Sequence, residues 1–304
     1  MQKFSGFVPI IGAPNAGKST LLNYILGQNI SIVTPKPQTT RNRITGIYTK
    51  ENVQIVFVDT PGILDPKYKL QQFMNREVES SMVESDVILL IIDINKYDRE
   101  SFEKIYNKFK KEFSGHKLFC VLNKIDTIRK EEVLHVIKDI SENFRLDEII
   151  PISAAKGFNV DDLLKTIIKY LPEGDFYFES DVLTSQPEKF FVTEIIRQNI
   201  LKQFKDEIPF SVYIDIEEFK EREVGKDFIR ASVIVERETQ KAIIIGESGA
   251  KIKRLGEYSR KGIEEFLGRP VYLQLFVKMR KDWKNDEDFL KKNFNKFGTS
   301  SEQN

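Results

Sequence analysis

The run Gly12-Ala13-Pro14-Asn15-Ala16-Gly17-Lys18-Ser19-Thr20 places a lysine and a hydroxyl directly behind a loop bounded by two glycines. Glycines let such a loop curl until successive N–H groups point inward, and a helix opening at its end adds partial positive charge. The spacing G-x-x-x-x-G-K-[ST] is therefore a cradle for polyphosphate, with Lys18 reaching the terminal phosphates and Ser19 supplying an oxygen to Mg²⁺. A glycine-rich strand–helix turn that happens to carry Lys-Ser is the blander reading. It does not account for strand, loop and helix falling in the required order.

Asn123-Lys124-Ile125-Asp126 would name the base. A carboxylate only accepts, so Asp126 suits a ring edge offering two N–H donors side by side. Guanine has that edge and adenine does not. Asn123 would hold the neighbouring loop and contact the ring, and the Lys124 stem can lie over its face. Asp59-Thr60-Pro61-Gly62 offers a carboxylate for Mg²⁺, through water, and a backbone N–H at Gly62 for a γ-phosphate. Ser153-Ala154-Ala155 would add backbone N–H groups beneath the base. Thr39-Thr40-Arg41 offers Thr40 as a further Mg²⁺ ligand in a loop that orders when the γ-phosphate is present. Taken singly, these segments pass for a surface turn, a strand exit with Pro-Gly punctuation and an unremarkable tripeptide. Their order along one chain is what removes that reading.

The elements that must position them are legible as period. Strands are expected over 7–11, 44–49, 53–58, 87–93, 117–122 and 148–152, with helices over 19–26, 70–83, 100–113, 130–144 and 160–170. Several strands are apolar without alternation, as in sheets buried on both faces. Alternating βα units predict a doubly wound, mostly parallel α/β sheet. The close pair 44–49 and 53–58 reads as an antiparallel hairpin at one edge. Residues 1–171 form this domain, 172–187 the linker, 188–284 a second domain, and 285–304 a closing helix with a tail frayed from about Gly298.

The chain has 304 residues, 40% apolar and 31% charged, with 47 basic and 46 acidic side chains. Two domains are expected at that length. The balanced charge excludes indiscriminate attraction to polyanions, so a nucleic-acid footprint must be a local patch. One cysteine and two histidines exclude an intramolecular disulfide and a Cys/His zinc cage. The longest apolar run, 87–92, is far short of the ~20 residues a membrane helix needs. No basic-then-apolar leader is expected. Cys120 reads as core, and His116 and His135 as surface residues.

The second domain is expected to run helix (188–204), two strands (211–218, 228–236), a helix pair, and a last strand (271–278). Between the paired helices stands Gly246-Glu247-Ser248-Gly249, followed by Ala250, Lys251, Lys253 and Arg254, with Arg260 and Lys261 further on. A helix–GxxG–helix lets two helix ends approach a sugar–phosphate backbone, and the cations supply the local patch. The apolar stripe of the second helix is read as Ile252, Leu255, Tyr258, Ile263 and Phe266. Lys278, Arg280, Lys281 and Lys284 around Trp283 offer another basic edge, with Trp283 either stacking a base or packing the closing helix.

The forms APNAGKS, TTR, DTPG and NKID, with LLNYILGQ, VERETQK and IIGESGAKIK, resemble the Era branch of the translation-factor-type GTPases over essentially the whole chain. The resemblance implies a P-loop GTPase domain followed by an α+β type II KH domain. It implies slow, Mg²⁺-dependent hydrolysis of GTP to GDP and phosphate. It also implies binding of the 3′ end of 16S ribosomal RNA, action in 30S subunit assembly, and a cytoplasmic monomer loosely associated with the membrane. By the same resemblance Gly12 to Thr20, Asp59 to Gly62, Asn123, Lys124, Asp126 and Ser153 to Ala155 bind GTP. Lys18, Thr40, Gly62 and Asn15 would be catalytic, and residues 246–251, Lys253 and Arg254 would bind RNA. Ile63 stands where Ras-like enzymes carry a water-orienting glutamine, so polarisation must come from elsewhere. Asn15 either caps the phosphate loop or helps bind K⁺, whose charge would act like an arginine finger. Pro35 and Pro37 stiffen the switch loop. The rival readings are a protein-interaction GTPase with no RNA ligand and, opposed by Asn123–Asp126, a small-molecule kinase.

Overall fold

The computed structural model describes residues 2–294; the tail expected to fray from Gly298 lies outside them. Chain contacts divide it into two compact units, 1–67 with 71–185, and 68–70 with 186 onward. The first contains β1 (Phe4–Ile11), α1 (Lys18–Leu26), β2 (Ile44–Lys50), β3 (Val53–Asp59), α2 (Lys69–Val83), β4 (Val87–Asp93), α3 (Arg99–Lys108), α4 (Lys110–Phe113), β5 (Lys117–Asn123), α5 (Lys130–Asn143), β6 (Glu148–Pro151) and α6 (Val160–Tyr170). The six strands lie in the order β2-β3-β1-β4-β5-β6. Only β2 is antiparallel to its neighbour. Unbroken apolar runs become the central strands because both faces are covered: Val87 to Ile91 are all buried.

The single helix expected over 100–113 is broken. Asp98 caps α3 by accepting from the Ser101 N–H, and the helix ends at Phe109, whose φ of −107° starts a short second turn. The break lets Phe109 and Phe113 both enter the core under β4 and β5. Cys120 lies in that core, its thiol pushed up by burial and so unreactive. His135 is exposed, whereas His116 is half-buried and its Nδ1 bonds the Ser85 carbonyl at 2.6 Å.

Residues 172–185 carry no regular period yet are fastened along the sheet. Gln54 on β3 is fully buried. Its side-chain oxygen accepts from the Tyr177 and Phe178 N–H groups, at 2.8 and 3.0 Å, and its nitrogen donates to the Phe178 carbonyl at 2.9 Å. Further on, the Ile47 N–H donates to Leu183 and the Thr184 hydroxyl to the Thr45 carbonyl. The strap thereby covers the open edge of β2, which would otherwise present unpaired backbone groups.

The second unit holds α7 (Glu188–Gln203), β7 (Tyr213–Lys220), β8 (Asp227–Val235), α8 (Glu238–Ile245), α9 (Ala250–Leu267), β9 (Val271–Met279) and α10 (Glu287–Phe294). Its sheet order is β7-β8-β9, with β7–β8 antiparallel and β8–β9 parallel. One face of that sheet packs on α7 and α9 through Ile229, Val233, Ile196, Leu255 and Ile263. Tyr258 and Phe266, expected in the buried stripe of α9, are exposed by 51% and 42%; Ser259, not Tyr258, occupies the inward position. Trp283 is fully buried, packed on Tyr213 and Phe289, with its N–H donated to the Ser211 carbonyl. It is a packing residue and not a base-stacking platform. No helix among the described residues is long and apolar enough to cross a membrane.

Gln54→Leu removes both ends of the strap's central clamp. The expected result is a loss of about 2 kcal/mol of stability, read by denaturant unfolding, and new protease cleavage within 176–184.

Candidate functional site

The phosphate loop leaves β1 and enters α1 at the carboxyl end of the sheet, where open α/β folds bind ligands. It borders a cleft of ≈ 510 Å³ together with Thr34, Thr40, Gly62, Asp93 and Lys124. Gly17 has φ 105°, and a Cβ there would lie 2.0 Å from the Asn123 amide nitrogen. The same amide donates to the Ala16 carbonyl at 2.8 Å, while its oxygen accepts from the Ala154 N–H at 2.9 Å. Asn123 thus ties the phosphate loop to the Ser153–Ala155 turn. The Ala154 N–H is committed to that tie, whereas Ala155 is exposed. Lys124, at φ 67°, sends its ammonium to the Asn15 carbonyl (2.9 Å) and to Asp93 (2.7 Å), so its stem spans the cleft floor. Burial acts to raise the Asp93 carboxyl, but the Lys124 and Asn95 bonds outweigh it and hold the group below the usual carboxylate range. Asp126 is exposed with no side-chain partner among the described residues, an acceptor left for a ligand.

Lys18 and Asp59 are both buried. The Lys18 ammonium donates to the Gly12 and Ala13 carbonyls at 3.1 and 2.9 Å. Burial pushes its pKa down to about 8, with Asp59 opposing that shift. Burial pushes Asp59 up, opposed by Lys18 and by hydroxyl bonds from Ser19, Ser31 and Thr40. Ser19 reaches Asp59 Oδ2 at 2.6 Å and Thr40 at 3.1 Å, so the three Mg²⁺ candidates meet at one point. Asp59 Oδ1 is buried with no partner among the described residues. Two hydroxyls beside a carboxylate with an idle oxygen form a hard-oxygen set that fits Mg²⁺. These residues would hold the ion, which supplies charge neutralisation between phosphate oxygens when bound.

Thr60 closes the turn by donating to the Ile10 carbonyl at 2.8 Å. A Cβ on Gly62 would lie 2.8 Å from the backbone N and Cα of Pro14, so this loop passes directly against the phosphate loop. Ile63 is nearly buried and its N–H donates to the Gly12 carbonyl at 3.0 Å. Its side chain belongs to the core, so no polar group stands at that position. The Asn15 amide lies 3.0 Å from the Pro35 carbonyl in the switch loop, in which Thr39, Thr40 and Arg41 are buried. Asp93, Asn95, Ser31 and Asn23 did not emerge from the motifs. Asp93 could have been found as the carboxyl-terminal residue of a buried strand; Asn23 lies in the LLNYILGQ run, which gave it no role, and Asn95 and Ser31 carry no sequence signal.

In the second unit, Gly246 (φ 71°), Ser248 (φ 48°) and Gly249 (φ 80°) turn the chain between α8 and α9. A Cβ on Gly249 would meet nothing, so that face is open to a backbone. Glu247, Ser248 and Ala250 are exposed, as are Lys251, Lys253 and Arg254, and none of these three cations is in an ion pair among the described residues. Beside them a groove of ≈ 500 Å³ runs between α9 and β9, lined by Lys226, Ile252, Lys253, Arg260, Leu273 and Leu275. Among the described residues β9 is an edge strand, paired with β8 alone, a feature the motif alone does not disclose. The basic edge expected around Trp283 is largely neutralised: Lys278 pairs with Glu217, Arg280 with Asp286 and Lys284 with Glu236.

A family model described as a 50S ribosome-binding GTPase matches residues 7–124, and a KH-domain model matches 207–284. GTPase Era of Clostridium kluyveri is 45% identical over 291 residues, 94% of this chain and 97% of its own. The chain belongs to the Era GTPase family. Era of Geobacter metallireducens is 44% identical over 94% of this chain and 96% of its own. Era crystallised with MgGDPNP and nucleotides 1506–1542 of 16S ribosomal RNA superposes at TM-score 0.90, with 41% identity over 95% of this chain and 98% of that one. A variant of Aquifex aeolicus Era bound to GDP·AlF4⁻ superposes equally well, with the same identity and coverage. As a member of this family the chain is a GTPase that uses Mg²⁺.

Asp126→Asn exchanges an acceptor for a donor at an exposed position. GTP affinity is expected to fall about 100-fold or more while xanthosine triphosphate gains, with an unchanged unfolding midpoint. Competition binding with the two nucleotides checks it.

Proposed function

We propose that this chain is a GTP-controlled RNA-binding switch. It would bind the single-stranded 3′ end of 16S ribosomal RNA through its KH domain and act in 30S subunit assembly. The unpaired cations of α9 beside the open GxxG turn and the groove along β9 carry this reading. A relative of 41% identity crystallised with that RNA supports it. Gly249, where a Cβ would meet nothing, allows close approach of a sugar–phosphate backbone, Lys251, Lys253 and Arg254 neutralise phosphates, and the groove takes bases against the strand edge.

In the first unit Lys18 holds the β- and γ-phosphates, Ser19 and Thr40 ligate Mg²⁺, and Asp59 acts through a bound water. Gly62 donates its N–H to the γ-phosphate, and Asp126 with Asn123, Lys124 and the Ser153–Ala155 turn takes guanine. An apolar Ile63 leaves the attacking water unpolarised, so hydrolysis is slow; ~10⁻³ s⁻¹ corresponds to a barrier of ~21–22 kcal/mol. Asn15, beside the Pro35 carbonyl, supplies amide oxygen for K⁺ near the β- and γ-phosphates. On the family resemblance alone, the reading extends to a cytoplasmic monomer with a peripheral membrane fraction.

Two measurements test this. Gly249→Asp is expected to weaken binding of a ~12-nucleotide RNA of the 16S 3′ end at least about tenfold, a loss of ~1.4 kcal/mol, with GTP hydrolysis unchanged. Unaltered RNA affinity would favour a protein partner for the KH domain. Replacing Na⁺ by K⁺ at fixed ionic strength is expected to accelerate hydrolysis by about tenfold or more in the native chain and by less than twofold in Asn15→Ala.

A further inference from the structure

Ser31 lies at the root of the switch loop and belongs to none of the nucleotide motifs. It is nonetheless almost fully buried, 4% exposed, and its hydroxyl donates to Asp59 Oδ2 at 2.7 Å. Its backbone is gripped from both sides by one side chain. Asn23 donates to the Ser31 carbonyl at 2.8 Å and accepts from the Ser31 N–H at 2.9 Å. Asn23 sits on α1 four residues after Ser19, on the same helical face. Ser19, Asp59, Ser31 and Asn23 therefore close a ring that begins and ends on the helix of the phosphate loop.

The ring has a directional consequence. Asp59 Oδ2 accepts from Ser19 and Ser31 at good distance, with Thr40 at 3.5 Å a marginal third. Oδ1, equally buried, accepts from nothing among the described residues. Ser19 and Thr40 line the cleft and have oxygens to offer a metal; the Ser31 hydroxyl is buried outside that lining, against Asp59. We infer that Ser31, clamped by Asn23, is a positioning residue for the Mg²⁺ site, holding the Asp59 carboxylate so that Oδ2 stays beside Ser19 and Thr40, the hydroxyls that would ligate the metal. Because Ser31 roots the switch loop, lifting that loop withdraws the donor and loosens the carboxylate. Hydrogen-bond partners of metal-site groups typically contribute 10–100-fold in metal affinity.

The inference rests on the Mg²⁺–GTPase reading, and the test separates the two. Release of a fluorescent GDP is followed against Mg²⁺ concentration, and again in EDTA, for the native chain, Ser31→Ala, Ser31→Thr and Asn23→Ala. In Ser31→Ala the Mg²⁺ concentration for half-maximal GDP retention is expected to rise about tenfold, with release in EDTA within twofold of native. Asn23→Ala should reproduce that shift, and Ser31→Thr, which keeps the hydroxyl, should restore the native midpoint. A native midpoint in Ser31→Ala would overturn the positioning role. So would release accelerated by one factor with and without Mg²⁺, which signals general loosening. Release from the native chain that ignores Mg²⁺ would instead sink the parent reading.

Discussion

Burying a lysine and an aspartate within electrostatic reach of one another, at the carboxyl end of one sheet, is the constraint on which the nucleotide site depends. Neither charge is in water, and burial works against both: it lowers Lys18 and raises Asp59. Loop carbonyls and three hydroxyls offset part of that cost. A polyphosphate beside Lys18 and a divalent cation beside Asp59 would complete the compensation, because each would bring the charge its protein partner lacks. The surrounding sequence can be read as what keeps the two groups from escaping into solvent. Gly12 and Gly17 allow the loop to curl, Asn123 ties it to the base-binding turn, and Gly62 lets the next loop pass within contact of Pro14.

The nucleotide motifs were legible because each needs residue types that few other roles demand at that spacing. The covered, mostly parallel sheet followed from the apolar runs within Val87–Asp93 and Lys117–Asn123, which only a sheet packed on both faces can bury. Tertiary effects were not legible. The break at Phe109 serves two aromatic side chains seeking one core, which local period does not record. Tyr258 has the apolar spacing of a buried residue, but the neighbouring Ser259 takes the inward position. The cations around Trp283 looked like a ligand surface because their carboxylate partners, Glu217 and Glu236, lie far away in sequence. Gln54 and Ser31 are common residue types whose importance comes only from what folding places against them.

Two chemistries therefore occupy one chain, a polyphosphate site in the first unit and a basic, open-edged groove in the second. The strap over 172–185 starts where the first unit's last helix ends and is fastened to β2, the strand that follows Thr40 and Arg41. Ordering of the switch loop and the path of the strap consequently share one strand. If nucleotide state alters RNA affinity, then RNA must alter nucleotide affinity by the same factor, since linkage is reciprocal.

The most direct measurement is the affinity of the full chain for a ~12-nucleotide RNA of the 16S 3′ end, compared with GDP and with a non-hydrolysable GTP analogue at fixed salt and K⁺. Tighter binding with the analogue by tenfold or more, about 1.4 kcal/mol of coupling, is the expected result. Equal affinity in the two states would contradict a nucleotide-controlled RNA switch.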